Sequence, residues 1–314
     1  MAEEPAGGPV LITGGTGFIG GTLARRLVAG GHDVVTLDRA PARGPGRHVD
    51  GDVTDAGFVR HTIDALRPGA VYHLAGTSSE ADLGLLHRLN ALAAVHLCEA
   101  LAAACPDAVV VVAGSAAEYG VVPPHELPAA EERRLAPVTH YGASKAMQTL
   151  AVLPFARSGL RVVVARLANV IGPSMPRTLA LGRWLQLVRD QLSAGRARIV
   201  TGPLGAVRDF IDVADVVDLL PRLARADASA GRVVNVCSGR PTTLRELALG
   251  LRAAVARRLP GFDLAFDEEP GLARPGPDEF VADPALLASL VGPVALTPLE
   301  QTLDMAVADE LRAA

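Results

Sequence analysis

Lys145 is the only lysine in the 314 residues, and it stands four positions after Tyr141, one of three tyrosines, in the run Tyr-Gly-Ala-Ser-Lys. Every other basic side chain among the 30 Lys and Arg residues is an arginine. A composition rich in Ala, Arg, Gly and Pro fits GC-rich coding, in which a surface lysine drifts to arginine at little cost. The lysine that survives marks a place where arginine does not serve. On a helix, residues i and i+4 share a face, so a phenol and an ammonium are presented side by side. A neighbouring positive charge lowers a phenol pKa that is ordinarily about 10, as a tyrosine working as a general acid or base requires. Ser115 is a third candidate. It follows the β-branched run Val109 to Ala113, expected to be a buried parallel strand. A hydroxyl at the C-terminal end of such a strand faces the crevice where open α/β sheets bind ligands.

The elements that must position these groups follow from the pattern. Residues 9 to 13 are a short apolar run, then Gly14-Gly15-Thr16-Gly17-Phe18-Ile19-Gly20, then an amphipathic stretch from Thr22 to Ala29. Strand, glycine turn and helix in that order are the context of a dinucleotide site. The backbone must approach a pyrophosphate closely, and the helix N-terminus supplies unpaired N–H groups and a positive dipole end. A second strand, His32 to Leu37, ends at Asp38, placed to bond the adenosine ribose hydroxyls and so to favour NAD. Arg39 beside it is either a cradle for a 2'-phosphate, as NADP requires, or a solvated loop residue. Residues 40 to 48 are expected to be a Pro/Gly/Arg loop. Asp52-Val53 follows, where an acid can meet the adenine amino group.

Ala56 to Leu66 is expected to be a helix. Val71 to His73, with Leu74, Ala75 and Gly76, forms a strand running into a turn suited to passing under the cofactor. Thr77, Ser78 and Ser79 come next, either beside a substrate or capping a helix, and His73 is expected to be a packed strand residue. Leu83 to Ala104 is a long helical pattern. Arg161 to Arg166 and Arg232 to Cys237 are strands, the second able to rejoin the main sheet. Leu179 to Ser193 and Thr243 to Arg258 are helices, a short strand lies near Ile199, and 260 to 281 is expected to be irregular. Alternating strands and helices predict an α/β fold, a Rossmann doubly wound parallel sheet with a smaller C-terminal substrate-binding region. The dinucleotide-binding part is expected over 1–168, rejoined by about 206–238, and the substrate-binding part over 169–205 and 239–314.

The formal net charge is −4 and four per cent of the residues are aromatic, which argues against nucleic-acid binding. Cys98, Cys105 and Cys237 lack metal-ligand spacing and are expected to be free thiols, with no metal site. No apolar run has the length of a membrane helix or the form of a signal segment, so a cytoplasmic protein is expected.

The glycine turn, Asp38, Ser115 and the Tyr141/Lys145 pair together resemble the short-chain dehydrogenase/reductase superfamily. The length and later motifs resemble its extended branch of nucleotide-sugar epimerases, dehydratases and reductases. Arg166 to Asn169 with Gly172-Pro173, Val207 to Val213, and Asn235 to Gly239 match that branch. Gly114 to Gly120, Asn235 to Leu247 and Leu299 to Leu303 are especially similar to GDP-4-keto-6-deoxy-mannose reductases.

The resemblance implies NAD or NADP(H) as cofactor and a nucleoside-diphosphate sugar as substrate. Tyr141 would be the acid/base, and Lys145 would hold the nicotinamide ribose and depress the Tyr pKa. Ser115 would bond the sugar oxygen, and Asn169, Arg208 and Arg274 would contact the pyrophosphate. An arginine fork suits that work, although Arg208 can instead pair with an acid such as Asp212, and Arg274 can be a solvated loop residue. Dehydratases of the branch carry Asp-Glu after the position of Ser115. Ala116 and Ala117 stand there in this chain, which disfavours dehydration. His140 replaces the usual proline before Tyr141 and is expected to be an exposed loop residue rather than a second proton carrier. A 4-ketoreductase is therefore expected, with a 4-epimerase and a non-catalytic dinucleotide-binding regulator as rivals. A homodimer through the Tyr141/Lys145 helix and the helix from about 83 to 104 is expected from the same resemblance.

Overall fold

The computed structural model describes residues 7–42, 44–272 and 277–312. Its elements begin with β1 (Val10–Thr13), α1 (Phe18–Ala29), β2 (Val34–Asp38), β3 (Arg47–Asp50), α2 (Ala56–Leu66) and β4 (Ala70–His73). There follow α3 (Leu83–His87), α4 (Ala93–Ala104), β5 (Val109–Ser115), α5 (His140–Val152), α6 (Pro154–Arg157), β6 (Arg161–Leu167) and β7 (Asn169–Ile171). The chain ends with α7 (Ala180–Asp190), β8 (Arg196–Thr201), β9 (Val207–Asp212), α8 (Val213–Arg225), β10 (Val233–Val236), β11 (Pro241–Thr243), α9 (Leu244–Arg258), β12 (Asp263–Glu268), α10 (Ala285–Val291) and α11 (Leu299–Arg312).

Seven parallel strands form one sheet in the order β10-β6-β5-β4-β1-β2-β3. The order reverses between β1 and β4, and ligands of such sheets bind outside the strand ends at that point. Strand side chains alternate between two cores. Val10, Ile12, Val109 and Val111 face one that also receives Leu23 and Leu27 of α1 and Val216, Leu220 and Leu223 of α8. Leu11, Val110 and Val112 face the other, with Val59 and Ile63 of α2, Leu97 and Leu101 of α4, and Val152 of α5. These strands are apolar almost throughout because both faces are covered.

A third core joins α7, α9 and α11 to β8 and β12, through Trp184, Leu185, Ile199, Leu251, Val255, Leu264 and Leu303. The Trp184 ring meets Phe266 edge-on at 5.1 Å. Between this layer and the large sheet lies a small sheet ordered β11-β9-β7. The strand read over Arg232–Cys237 does join the large sheet, pairing Val233 with Val164, whereas β9 pairs with β7 and β11.

Three local features differ from expectation. β3 occupies part of the loop read over 40–48, pairing Val35 with Arg47 and Asp38 with Asp50. It is an edge strand whose side chains lie at or near the surface, so no apolar alternation marks it. β12 lies within the segment expected to be irregular and pairs in parallel with β8. The helix over Leu83–Ala104 contains a π turn at Arg88–Leu92, with its consequence in the site below.

Asp209 holds three segments together. Its carboxylate, fully buried, accepts from Ser238 N at 2.8 Å, Ser238 Oγ at 2.7 Å, Gly239 N at 3.0 Å and Ala282 N at 3.3 Å. Removing it leaves buried donors without partners, the costly case for polar groups. Asp209→Ala is expected to lower the unfolding free energy by about 2–4 kcal/mol. Urea unfolding measures this, and a variant as stable as wild type would remove Asp209 from that role.

Candidate functional site

The glycine turn after β1 is shaped by what cannot fit there. Gly14 has φ of 70°, and a Cβ on it would lie 2.7 Å from the Ala75 amide nitrogen. A Cβ on Gly20 would lie 2.2 Å from the Gly14 carbonyl oxygen. Gly17 begins α1 with no side-chain cap, so no side chain satisfies the first-turn N–H groups at Phe18 and Ile19. Asp38, at the end of β2, accepts from Thr16 Oγ1 at 2.7 Å and Thr16 N at 3.2 Å, and its other oxygen takes Ala40 N at 3.2 Å. The acid is thereby pinned at the mouth of the turn. Arg39 is exposed and lies 3.6 Å from Asp52. Burial works to raise the Asp52 pKa, but bonds from Thr54 N and Oγ1 and the Arg39 charge lower it overall. Val53 and Ala75 are buried, Leu74 is half-buried, and Gly76 places its missing Cβ 3.4 Å from Lys145 Nζ.

These features fit a dinucleotide. A glycine cradle that excludes side chains and an uncapped helix N-terminus suit a pyrophosphate, and an anchored acid at the end of β2 suits ribose hydroxyls.

Tyr141 and Lys145 enter through α5. Thr139 caps this helix by accepting from Gly142 N at 3.0 Å, and Glu80 accepts from Tyr141 N at 2.9 Å. Lys145 is 5% exposed, and its ammonium donates to Ala113 O at 2.9 Å and Gln148 Oε1 at 2.8 Å. Burial lowers its pKa to about 8, against an opposing pull from Glu118. His73 is also buried and bonds Thr13 Oγ1 through Nδ1 at 2.8 Å. Burial first, then the Lys145 charge, lowers its pKa to about 3.

The expectation that Lys145 depresses the Tyr141 pKa is corrected. Burial raises the phenol pKa, a hydrogen bond with Ser115 lowers it, and Glu118 raises it further. The Lys145 ammonium is directed to a main-chain carbonyl and a glutamine instead.

Ser115 ends β5 and opens a turn of 3₁₀ helix, Ala116–Glu118. Its hydroxyl accepts from Ala117 N at 3.2 Å, and its own N–H donates to Glu118 Oε1 at 2.7 Å. With a lone pair used by Ala117 N–H, the Ser115 O–H is left to donate. A Cβ on Gly142 would lie 2.5 Å from Ala117 O, so α5 rests directly on this turn. Glu118 is the acid of the turn, and it lies fully buried against Arg166, 2.9 Å away.

Among the expected substrate contacts, Asn169 is exposed and donates to Asp209 O at 2.9 Å. Arg208 is half-buried and donates to Val207 O at 2.8 Å and to Asp278 O at 3.4 Å. Asp212, the acid considered as its partner, instead caps α8 by accepting from Ala214 N at 2.6 Å. Ser78 is exposed in the loop after β4, and His140 is exposed at the start of α5. Arg274 lies outside the described residues.

A profile of proteins described as the NAD dependent epimerase/dehydratase family matches residues 10–237. The chain belongs to this family. It is 36% identical over 252 residues to a dTDP-6-deoxy-L-talose 4-dehydrogenase (NAD(P)(+)) of Kitasatospora kifunensis, covering 78% of this chain and 79% of that one. It is 30% identical over 262 residues to a UDP-glucose 4-epimerase of Mycolicibacterium smegmatis, covering 78% and 82%. Among solved structures, RMD from Pseudomonas aeruginosa complexed with NADPH superposes with a TM-score of 0.82 at 27% identity, over 98% of each chain. The family's dependence on NAD(P) agrees with the fit of the glycine turn.

Against this epimerase/dehydratase background, three residues stand out that the sequence pattern did not single out. Glu118 and Gln148 lie under the Ser115 and Lys145 groups. Asn90, carried by the π turn and fully buried, clamps Thr77 through both its N–H and its carbonyl at 2.8 Å, and donates to Ser144 Oγ at 2.9 Å. The extra residue of the π turn gives Asn90 its reach to both the β4 loop and α5. Among the described residues no group of His, Cys, Asp and Glu could hold a metal, and no helix is long and apolar enough to cross a membrane.

His73 carries a pH signature. An unfolded chain takes up the imidazole proton near pH 6.5, whereas the folded chain, with a pKa of about 3, does not. Stability must therefore fall as pH drops through that window, by up to about 1.4 kcal/mol per pH unit for this one group. Chemical denaturation between pH 7 and 4 is expected to show a steeper loss for wild type than for His73→Asn. Parallel pH profiles would rule out His73 as the source.

Proposed function

We propose that this protein is an NAD(P)-dependent 4-ketoreductase acting on a nucleoside-diphosphate 4-keto-6-deoxyhexose. The observation that carries the reading is the turn at Ser115. Ala116 and Ala117 provide no acid or base for dehydration, and the nearby acid, Glu118, is buried in an ion pair with Arg166. What remains is the Ser115 hydroxyl hydrogen-bonded with the Tyr141 phenol, and an ammonium, a set suited to moving one proton at a carbonyl oxygen. The similarity to a 6-deoxyhexose 4-dehydrogenase supports the same chemistry.

When bound, the nicotinamide supplies the hydride that adds to the C4 carbonyl carbon. Tyr141 gives its proton to the C4 oxygen. A phenol pKa raised by burial keeps that proton in place at neutral pH, as an acid for reduction requires. Ser115 donates to the same oxygen and stabilises the negative charge that develops on it. Lys145, beside Gly76, holds the nicotinamide ribose. Asn169, Arg208 and Arg274 grip the pyrophosphate, and Ser78 lies along the sugar. A second reading is a 4-epimerase that keeps NAD bound throughout. Asp38, anchored on Thr16 as a ribose-binding acid, and the similarity to a UDP-glucose 4-epimerase favour it.

We also place the enzyme in the cytoplasm, as a homodimer through α4 and α5. Leu92, at the end of the π turn that leads into α4, and Met147 and Leu150 of α5 are 45%, 40% and 65% exposed, a cost that burial against a second copy removes. Sedimentation of Leu150→Glu is expected to show a monomer, and an unchanged mass would move the interface elsewhere.

Purified protein with NADPH or NADH and dTDP- or GDP-4-keto-6-deoxyhexose is expected to consume the reduced nicotinamide absorbance. Interconversion of UDP-hexoses without added cofactor, and no consumption with any keto sugar, would establish the epimerase instead. Tyr141→Phe is expected to reduce kcat by about 10³-fold while cofactor affinity stays within about twofold. Lys145→Arg is expected to lose at least about 10²-fold, because the guanidinium is too broad for the space between Ala113 O, Gln148 and Gly76. Full activity in either variant assigns the proton or the ribose contact to another residue.

A further inference from the structure

Glu118 has more partners than a loop acid needs. Its Oε1 accepts from Ser115 N at 2.7 Å, and its Oε2 accepts from Thr149 Oγ1 at 2.9 Å, Arg166 Nη2 at 2.9 Å and Arg166 Nε at 3.1 Å. These donors come from the Ser115 turn, from α5 one turn beyond Lys145, and from β6. The guanidinium of Arg166 in turn lies 4.5 Å over the Tyr119 ring, and the Tyr119 hydroxyl donates to Asn235 of β10 at 2.8 Å. Even Gly114 is shaped by the carboxylate, since a Cβ there would lie 2.7 Å from Oε1. Breaking a buried pair of this kind is far more costly than a surface one, because the remaining charge has no solvent. The bond to the Ser115 amide closes a capping box with the Ser115 hydroxyl, so the carboxylate that fixes the turn is the same one that ties it to α5 and β6.

We infer that Glu118 is the positioning residue of this site: one buried carboxylate sets Ser115 against the Tyr141/Lys145 helix and adds a fixed negative charge beneath that site. It touches neither substrate nor cofactor and acts through its neighbours. The group that competes for this charge is its own partner Arg166, while the other groups near Lys145 are uncharged or turned elsewhere. β4 contributes His73, which is neutral, and β5 contributes the Ala113 carbonyl. α5 contributes the neutral phenol of Tyr141 and the amide of Gln148, while Glu80 from the β4 loop meets the Tyr141 amide. Arg166 on β6 is paired to Glu118 itself. Burial drives Lys145 toward the neutral amine, and Glu118 opposes it.

The inference rests on Ser115, Tyr141 and Lys145 being the reacting group, but its main test requires no turnover. Because the chain has one lysine, growth on ¹³Cε-lysine gives a single lysine resonance whose pH midpoint belongs to Lys145. In wild type the midpoint is expected at about 8. In Glu118→Gln, which keeps an acceptor for Ser115 N–H but removes the charge, it is expected to fall by about one pH unit or more. The alkaline limb of kcat is expected to move down with it while KM for the keto sugar stays within about twofold. In Glu118→Asp, which keeps the charge but is shorter by one methylene, the midpoint is expected to hold while kcat drops about tenfold. An unmoved midpoint in Glu118→Gln overturns the electrostatic role, and an undiminished kcat in Glu118→Asp overturns the positioning role. Should Glu118→Gln not fold, Thr149→Val removes only the strut to α5. It is expected to lower kcat several-fold with the lysine midpoint unmoved, and an unchanged kcat overturns the proposal. If no keto sugar is turned over by wild type, the ketoreductase reading fails while the lysine titration still decides the electrostatic role.

Discussion

At residue 142 there is no room for a side chain, because a Cβ would lie 2.5 Å from the Ala117 carbonyl oxygen. The rest of the site depends on that contact. Glycine lets α5, which carries Tyr141 and Lys145, settle onto the turn that follows β5 and carries Ser115. The parallel sheet supplies the other half of the constraint. With β1 central and the strand order reversing beside it, the glycine turn and the end of β5 open toward the same edge of the sheet. In the proposed arrangement a nucleotide laid along that edge would meet first the Asp38 anchor and then the Lys145 region.

Much of this was legible in the sequence because the signals are local. Strand, glycine turn and helix follow one another without interruption, and Tyr141 and Lys145 are separated by one helical turn. The buried strands announce themselves as β-branched runs, as in Val109 to Val112. What was not legible depends on distant partners. β3 and β12 are held by backbone pairing to β2 and β8, and their side chains carry little periodicity. Glu118, Gln148 and Asn90 look like ordinary surface polar residues until the fold buries them. The direction of the Tyr141 pKa was misread for the same reason: adjacency to a lysine is visible in a sequence, but desolvation and the ammonium's other partners are not.

The buried polar residues fall into a consistent pattern. Asp209, Asn90 and Glu118 each use one side chain to bind backbone or hydroxyl groups from separate segments. Each bridges places where secondary structure ends and backbone groups would otherwise lack partners. The candidate substrate contacts sit mostly at strand ends, Ser115 closing β5, Asn169 opening β7 and Arg208 near the start of β9, with Ser78 in the loop after β4.

The single buried lysine has one more consequence. The described surface presents arginines as its cations and no lysine side chain at all. Acylation, glycation and carbamylation, which are reactions of unprotonated amines, find no lysine target on that exterior. The one side-chain amine they could modify lies inside the crevice, its nucleophilic form made accessible near neutral pH by the same burial that shelters it. Lysine-directed chemistry on this protein is therefore confined to its interior.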